Sequence, residues 1–191
     1  MELKSILLQK KSVILKRWFD MVLETYPADS VSFFKNQKDK FANPVGAAIV
    51  EGIEKIFDEL LTQEMNPGTV GMFLDNIIRI RAVHDFTPAA ALAFICSLKK
   101  VVREEAWTDI QANGLTEELF AFESQIDDLS LISFNIYMKC REKIYEIKAN
   151  EARDSTFRLL QRANLMTEIQ EQGPDPEDVK LINIKRKEAT K

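Results

Sequence analysis

The carboxy-terminal half of the chain carries one apolar stripe that is unusually long for a protein of this size. Apolar or small residues recur there at steps of three and four: Phe122, Ile126, Leu129, Ser133, Ile136, Cys140, Ile144 and Ile147. This spacing is typical of one face of an α-helix. If the pattern continues to about Met166, the helix has ~50 residues and a length of about 75 Å. This is longer than the globular core of a protein of this size. We therefore expect part of it to project, to pair with another chain or to fold back.

Shorter amphipathic segments precede this helix, and they are separated by residues that start or stop helices. Asn43-Pro44 and Thr87-Pro88 each combine a capping side chain with a proline at the first helical position, and Asn113-Gly114 supplies a left-handed stop. No run alternates with the two-residue period of a strand, so the fold class is all-α. The predicted helices span residues 3–26 with a break near Lys10, 30–34, 44–63, 69–84 and 88–113, with Asn66-Pro67-Gly68 as a turn and Thr116 as the cap of the last helix.

The charge balance and the hydropathy exclude several classes of partner. The chain has 26 basic and 30 acidic residues and a net charge of -4, which argues against nucleic-acid binding. No stretch approaches the ~20 apolar residues of a membrane span, and the apolar run near Met1 is too short for a signal peptide. We expect a cytoplasmic protein without membrane insertion.

The two cysteines, Cys96 and Cys140, are far apart in sequence and form no CxxC pair. A disulfide framework needs an oxidising compartment and usually more cysteines in a shorter chain. We interpret both as reduced core thiols, and the sequence does not decide whether either senses redox state.

Few residues could carry catalysis or hold a cofactor. His84 is the only histidine, and no GxSxG elbow, GxGxxG loop or P-loop is present. A haem iron needs a histidine that projects into an apolar pocket, whereas His84 lies beside Asp85 just before a helix start. We expect no catalytic residues, no metal site and no cofactor, and we interpret His84 as a polar residue that ends a helix.

Two arginines interrupt an otherwise apolar helix. Arg79 and Arg81 lie two positions apart and point to different faces, so at least one is expected near the core edge. One interpretation is a clamp for an anion or a carboxylate, because guanidinium binds such groups bidentately. The other is an internal salt bridge, with Asp127 or Asp128 as the acid. The four residues form the candidate anion or salt-bridge site.

Several short motifs, taken in order, resemble the RsbRD amino-terminal domain family over residues 1–165. The resemblance rests on Arg17-Trp18, on the helix start Lys40 to Gly46 (KFANPVG), on Arg79 to Val83 (RIRAV), on Phe86-Thr87-Pro88, on Leu98 to Glu104 (LKKVVRE), on Ile126 to Leu129 (IDDL) and on Tyr137 to Glu142 (YMKCRE).

The resemblance implies a sensory input domain of bacterial signalling proteins, similar to the non-haem globin sensors of stressosomes. Such domains bind no iron, form dimers and pass a signal along a carboxy-terminal helix, so we expect a globin-like helical bundle. Relatives of the RsbR type continue into a phosphorylatable STAS domain and others into kinases. Since this chain ends about 25 residues after the resemblance, we expect input without output, with residues 166–191 as a flexible charged tail carrying the apolar residues Leu181, Ile182 and Ile184.

Three functional hypotheses stay open. The first is a non-catalytic regulatory or sensory interaction module that dimerises through its last helix and binds signalling partners such as STAS proteins or kinases. The second is an accessory or assembly factor of a membrane-associated redox complex, with that complex's subunits as partners. The third is a sensor that holds an apolar small molecule between its helices.

Overall fold

A computed structural model describes residues 2–36, 41–62, 64–84 and 86–163. The regular structure of these residues is entirely helical, which confirms the predicted all-α class with a long carboxy-terminal helix. The predicted break near Lys10 separates the first two helices. The helices are α1 (Leu3–Gln9), α2 (Lys11–Leu23), α3 (Ala28–Asn36), α4 (Pro44–Leu60), α5 (Pro67–Val83), α6 (Pro88–Asn113) and α7 (Thr116–Arg162).

Three predicted helix boundaries are confirmed together with their chemistry. The side chain of Asn43 accepts a hydrogen bond of 2.9 Å from the backbone N–H of Gly46 at the start of α4. Thr87 Oγ1 accepts one of 3.2 Å from the N–H of Ala90 at the start of α6. Gly114 ends α6 with a φ of 68°, a left-handed conformation that a residue without Cβ adopts at little cost.

Two predicted boundaries are corrected. Asn66-Pro67-Gly68 is the start of α5 and not a separate turn, because Asn66 Oδ1 caps the N–H groups of Gly68 and Thr69 at 2.9 and 3.1 Å. Thr116 is the first residue of α7 and does not precede it as a cap. The predicted helix starts differ from the observed ones by no more than one turn. The errors arose because the same residue types favour caps, first turns and loops.

The chain divides into two compact units, of which the first ends at Ile147 and the second begins at Lys148. The first unit contains the apolar core, with fully buried side chains such as Trp18, Phe57 and Phe94. Helices α4 and α5 approach closely, because a Cβ at Gly52 would lie 2.7 Å from the Ile77 Cδ1 atom.

The long apolar stripe of α7 is buried over only part of its length. Its early members, including Phe122, Ile126 and Leu129, are buried, and Ile144 is the last member that is partly covered. Every residue from 145 to 163 is exposed, including all described residues of the second unit. The core covered by α7 therefore ends at about Ile144. The predicted domain end at residue 165 and the predicted tail 166–191 lie outside the described residues.

Candidate functional site

The four residues of the predicted anion or salt-bridge site have separate surroundings. Arg79 is exposed and donates to Asp75 Oδ2 at 2.8 Å, one turn earlier on α5. Asp127 pairs with Lys99 of α6 at 2.6 Å, and Asp128 is exposed on α7. Arg81 has no exposed surface. Among the described residues, neither arginine pairs with Asp127 or Asp128 as the sequence suggested. Arg79 pairs with Asp75 instead, and Asp127 pairs with Lys99.

Helix geometry explains why the two arginines differ. Successive helical residues are turned by about 100°, so positions two apart lie on nearly opposite faces. Arg79 faces solvent beside Asp75, whereas Arg81 shares the buried face with Ile77 and Ile78. The sequence correctly separated the two faces, but it did not say which arginine is enclosed.

Three aromatic rings surround the Arg81 guanidinium. Its Cζ atom lies 4.4 Å from the ring centroid of Phe86, 5.2 Å from that of Tyr26 and 5.5 Å from that of Phe94. Tyr26 lies in the connection between α2 and α3, Phe86 in the α5–α6 connection and Phe94 in α6. We call Arg81 and the three aromatic residues the arginine cage. Cation–π attraction stabilises such an arrangement by about 2 kcal/mol or more when it is desolvated.

The hydrogen bonds of the arginine cage are incomplete. Arg81 Nη2 donates to Thr25 Oγ1 and to the Ala90 carbonyl, both at 2.8 Å. Arg81 Nε and Nη1 and the Tyr26 hydroxyl are buried and have no hydrogen-bond partner within the described parts of the chain. Burial lowers the pKa of Arg81 and raises that of Tyr26, because desolvation disfavours the charged form of each group.

Helix α7 holds the connection that covers this cage. The Tyr137 hydroxyl donates to the Phe86 carbonyl at 2.6 Å, and Arg141 Nη1 donates to the Ala82 carbonyl at 3.0 Å. Ala82 lies in the last turn of α5 and Phe86 in the α5–α6 connection, and Phe86 also stacks on Arg81. A displacement of Phe86 would therefore change both its contact with Arg81 in the arginine cage and its hydrogen bond with Tyr137 of α7. The sequence analysis gave no role to Tyr26, and it used Tyr137 only as the first residue of the YMKCRE motif, because only tertiary contacts bring these two side chains here.

A second feature of α7 is an apolar surface in the first unit. Five large side chains recur at steps of 11, 3, 4 and 7 residues, which return to one helical face. They are between 37% and 67% exposed. We call them the outer stripe: Phe120, Leu131, Phe134, Met138 and Tyr145.

Two open grooves in the first unit could receive a ligand. One, of about 610 Å³, lies between the amino-terminal helices and α4 and is lined largely by apolar side chains such as Leu15, Phe19 and Val50. The other, of about 860 Å³, lies between α5 and α7 and is more polar, with Arg79 and Cys140 in its wall. Both volumes are within the usual range of ligand sites, about 300–1,000 Å³.

The two cysteines differ in exposure. Cys96 is exposed, contrary to the prediction of a core thiol, and its Sγ lies 3.7 Å from Ser130 Oγ. Cys140 is partly buried against the core. Burial, followed by the charge of Asp75, raises the pKa of Cys140 and lowers its thiolate fraction at neutral pH.

We expect iodoacetamide at neutral pH to alkylate Cys96 roughly tenfold faster than Cys140, because attack requires an accessible thiolate. The measurement is mass spectrometry of the two cysteine peptides over time. A Cys96→Ser variant isolates the slow reaction of Cys140. Faster modification of Cys140 would contradict the assignment of the protected thiol.

His84 ends α5 and is exposed, which agrees with its interpretation as a helix-terminating polar residue. Among the described residues, no group of three or more histidine, cysteine or acidic side chains could hold a metal ion. Over the same residues, no helix combines the length and the apolar character needed to cross a bilayer.

Comparison with known proteins gives two matches. The sequence model of one family, described as the RsbT co-antagonist protein rsbRD N-terminal domain, matches residues 12–152. An uncharacterized protein of Archaeoglobus fulgidus is 26% identical over 140 residues, which cover 72% of this chain and 82% of that protein. No solved structure matches the chain. The family match extends from α2 into α7 and so includes the arginine cage and the outer stripe.

Proposed function

The chain belongs to the rsbRD N-terminal domain family, and on that premise we propose that it is a non-catalytic regulatory input module that dimerises through α7. The family is one of sensory and regulatory domains. In this proposal α7 carries both the contact between copies and the link to a protein partner. We place the module in the cytoplasm.

The outer stripe is the observation that carries this proposal. Leu131, Phe134 and Met138 lie within two turns of α7 and expose large apolar side chains on the face opposite the core. Contiguous exposed apolar surface of this kind usually marks an interaction site. Steps of three, four and seven residues are also the spacing that lets two helices pair along an apolar seam. A second copy of α7 would bury the outer stripe, because it carries the same apolar side chains at the same spacing.

We expect the double variant Leu131→Lys, Met138→Lys to convert a dimer into a monomer, because two charges would have to be desolvated at the centre of the contact. Light scattering after size-exclusion chromatography measures the mass, and circular dichroism checks that the helices are retained. Val13→Lys is the matched control, since Val13 is 51% exposed on α2, outside the outer stripe. A wild-type monomer, or a double variant that stays dimeric, would overturn dimerisation through α7.

Affinity isolation of the tagged protein from its native cells, followed by mass spectrometry, tests the partner class. STAS proteins or kinases would support a signalling role. Subunits of an iron–sulfur or haem complex would favour the accessory-factor alternative, and the regulatory label would then describe only the ancestry of the domain.

The groove of about 610 Å³ favours a second candidate function, the sensing of an apolar small molecule. Leu15, Phe19 and Val50 supply an apolar wall, and Lys16 lies at its edge. We expect Phe19→Lys to weaken the binding of a fluorescent fatty acid and the control Val13→Lys to leave it unchanged. This comparison distinguishes the groove from other apolar surface. Equal binding by both variants would exclude the groove as the site.

A further inference from the structure

The groove between α5 and α7 has a charge opposite to that of the chain as a whole. The chain carries a net charge of -4, whereas three basic residues and one acidic residue line this groove. The basic residues are Arg79 on α5 and Lys139 and Lys143 on α7, and the acid is Asp75. Positive potential in a concave site attracts an anionic partner and raises its local concentration. A partner that fits this groove therefore carries negative charge beside the two helices.

The ion pairs in the groove leave its positive charge accessible. Asp75 binds Arg79 at 2.8 Å within α5, and both side chains are at least 36% exposed. Glu146 binds Lys143 at 2.7 Å within α7, and both are more than half exposed. Exposed pairs contribute little to stability, so an incoming carboxylate replaces them at low cost. Lys139 and Lys143 are one helical turn apart, where like charges repel, and a carboxylate beside them relieves that repulsion.

The groove also has an apolar base and the length of a short helix. Ile132 and Ile136 lie one turn apart on α7 and pack against the core, while Met72 of α5 is 64% exposed. The lining residues of α5 run from Pro67 to Arg79, a distance of about 18 Å or about three helical turns. An amphipathic helix binds such a groove by laying its apolar face on the base.

Gly71 leaves the α5 wall of the groove open. A Cβ atom built at this position has no neighbour within 4 Å, so free space lies beside the backbone. A residue without a side chain lets a second backbone approach closely. The wall therefore admits a helix, with its full diameter, between α5 and α7.

We propose that this groove is the docking site for an acidic amphipathic helix of a partner protein. The inference rests on the proposed function, because it names the chemistry of the partner that the input module binds. The docked helix places apolar side chains on Ile132 and Ile136 and carboxylates beside Lys139 and Lys143. Lys139 directly follows Met138 of the outer stripe, and successive helical residues are turned by about 100°. The groove and the outer stripe thus use different faces of α7, and a dimer can dock the helix.

The test measures the binding of a fluorescein-labelled peptide to the full chain by anisotropy at low ionic strength. The peptide has about 14 residues, with leucine at steps of three and four and glutamate on both flanks, and a hydrocarbon staple keeps it helical. We expect saturable binding, which weakens by about tenfold or more when lysine replaces every glutamate of the peptide.

Reversal of the groove's charge should reverse this preference. The double variant Lys139→Glu, Lys143→Glu should bind the lysine peptide more tightly than the glutamate peptide. The matched control is Lys4→Glu, Lys100→Glu, which makes the same change at two exposed positions outside the groove. It should keep the preference of the wild type. A control variant that loses the glutamate peptide as fully as the groove variant would overturn the proposal, because net charge alone would then explain the binding.

Gly71→Leu tests the groove without changing any charge. Leucine fills the open space on the α5 wall, and we expect the glutamate peptide to bind about tenfold more weakly. The melting temperature should not fall, because the variant removes a glycine from the interior of a helix. Unchanged binding by both Gly71→Leu and the Lys139→Glu, Lys143→Glu variant, or no binding by the wild type, would overturn the docking site.

The outer-stripe variant separates this proposal from dimerisation. Leu131→Lys, Met138→Lys should bind the glutamate peptide at least as tightly as the wild type does, whether it is a monomer or a dimer. Loss of binding in this variant would place the peptide on the outer stripe and overturn the groove as the site. Peptide binding by a monomeric wild type would support the groove while contradicting dimerisation, so the two proposals can fail separately.

Discussion

Trp18→Ala is expected to lower the free energy of unfolding by about 3–5 kcal/mol, a large part of the total stability of a domain this size. Trp18 has no exposed surface, its Nε1 donates to the Phe94 carbonyl at 2.7 Å, and its ring stacks on Phe94 at 6.4 Å. The substitution leaves a cavity between α2 and α6 and removes this hydrogen bond. Urea unfolding followed by circular dichroism measures the loss.

The second tryptophan provides a matched control. Trp107 lies on α6 and is 42% exposed, so Trp107→Ala is expected to cost less than about 1 kcal/mol. The comparison removes the same side chain from the same protein and changes only its burial. Losses of similar size in the two variants would mean that Trp18 does not occupy the centre of the α2–α6 contact.

Arg81→Met is expected to raise the free energy of unfolding by about 1–2 kcal/mol, because it removes an unpaired buried charge. Methionine keeps most of the apolar contact with Phe86 and Phe94 and removes a buried charge that no acidic residue in the described structure offsets. We judge this gain to exceed the lost cation–π attraction and the two hydrogen bonds of Nη2. The measurement is the same urea titration.

The neighbouring substitutions define what this result means. Arg81→Ala should be less stable than Arg81→Met by about 2–4 kcal/mol, because alanine leaves a cavity inside the cage. Arg79→Met should change the stability by less than about 1 kcal/mol, since it breaks only an exposed pair with Asp75. If Arg81→Met instead destabilised the protein, the cation–π contacts and the two hydrogen bonds of Nη2 would outweigh the cost of burying the charge.

The outlines of the helices could be predicted because their signals are local. Asn43-Pro44, Thr87-Pro88 and Gly114 act through backbone groups within four residues of themselves, so they mean the same in almost any tertiary setting. The errors at Asn66 and Thr116 arose where one residue type suits a cap, a first turn and a loop equally well.

The candidate site could be predicted only in part. Helical geometry placed Arg79 and Arg81 on different faces, and the chemistry of guanidinium left two interpretations, a salt bridge or an anion clamp. Arg79 forms the salt bridge, but with Asp75, four residues away on its own helix. Arg81 has no acidic partner among the described residues. Its surroundings are set by side chains up to 56 positions away, such as Thr25, and no local sequence pattern encodes them.

By itself, then, the sequence determined the all-α class, most helix boundaries and the family, because these depend on periodicity, on capping and on ordered short motifs. Only the tertiary structure decided which arginine is enclosed, that Cys96 is exposed, and where along α7 the core stops. The physical reason is that burial is a property of packed surfaces. The face of a helix can be read from its spacing, but whether another element covers that face depends on residues distant in the chain.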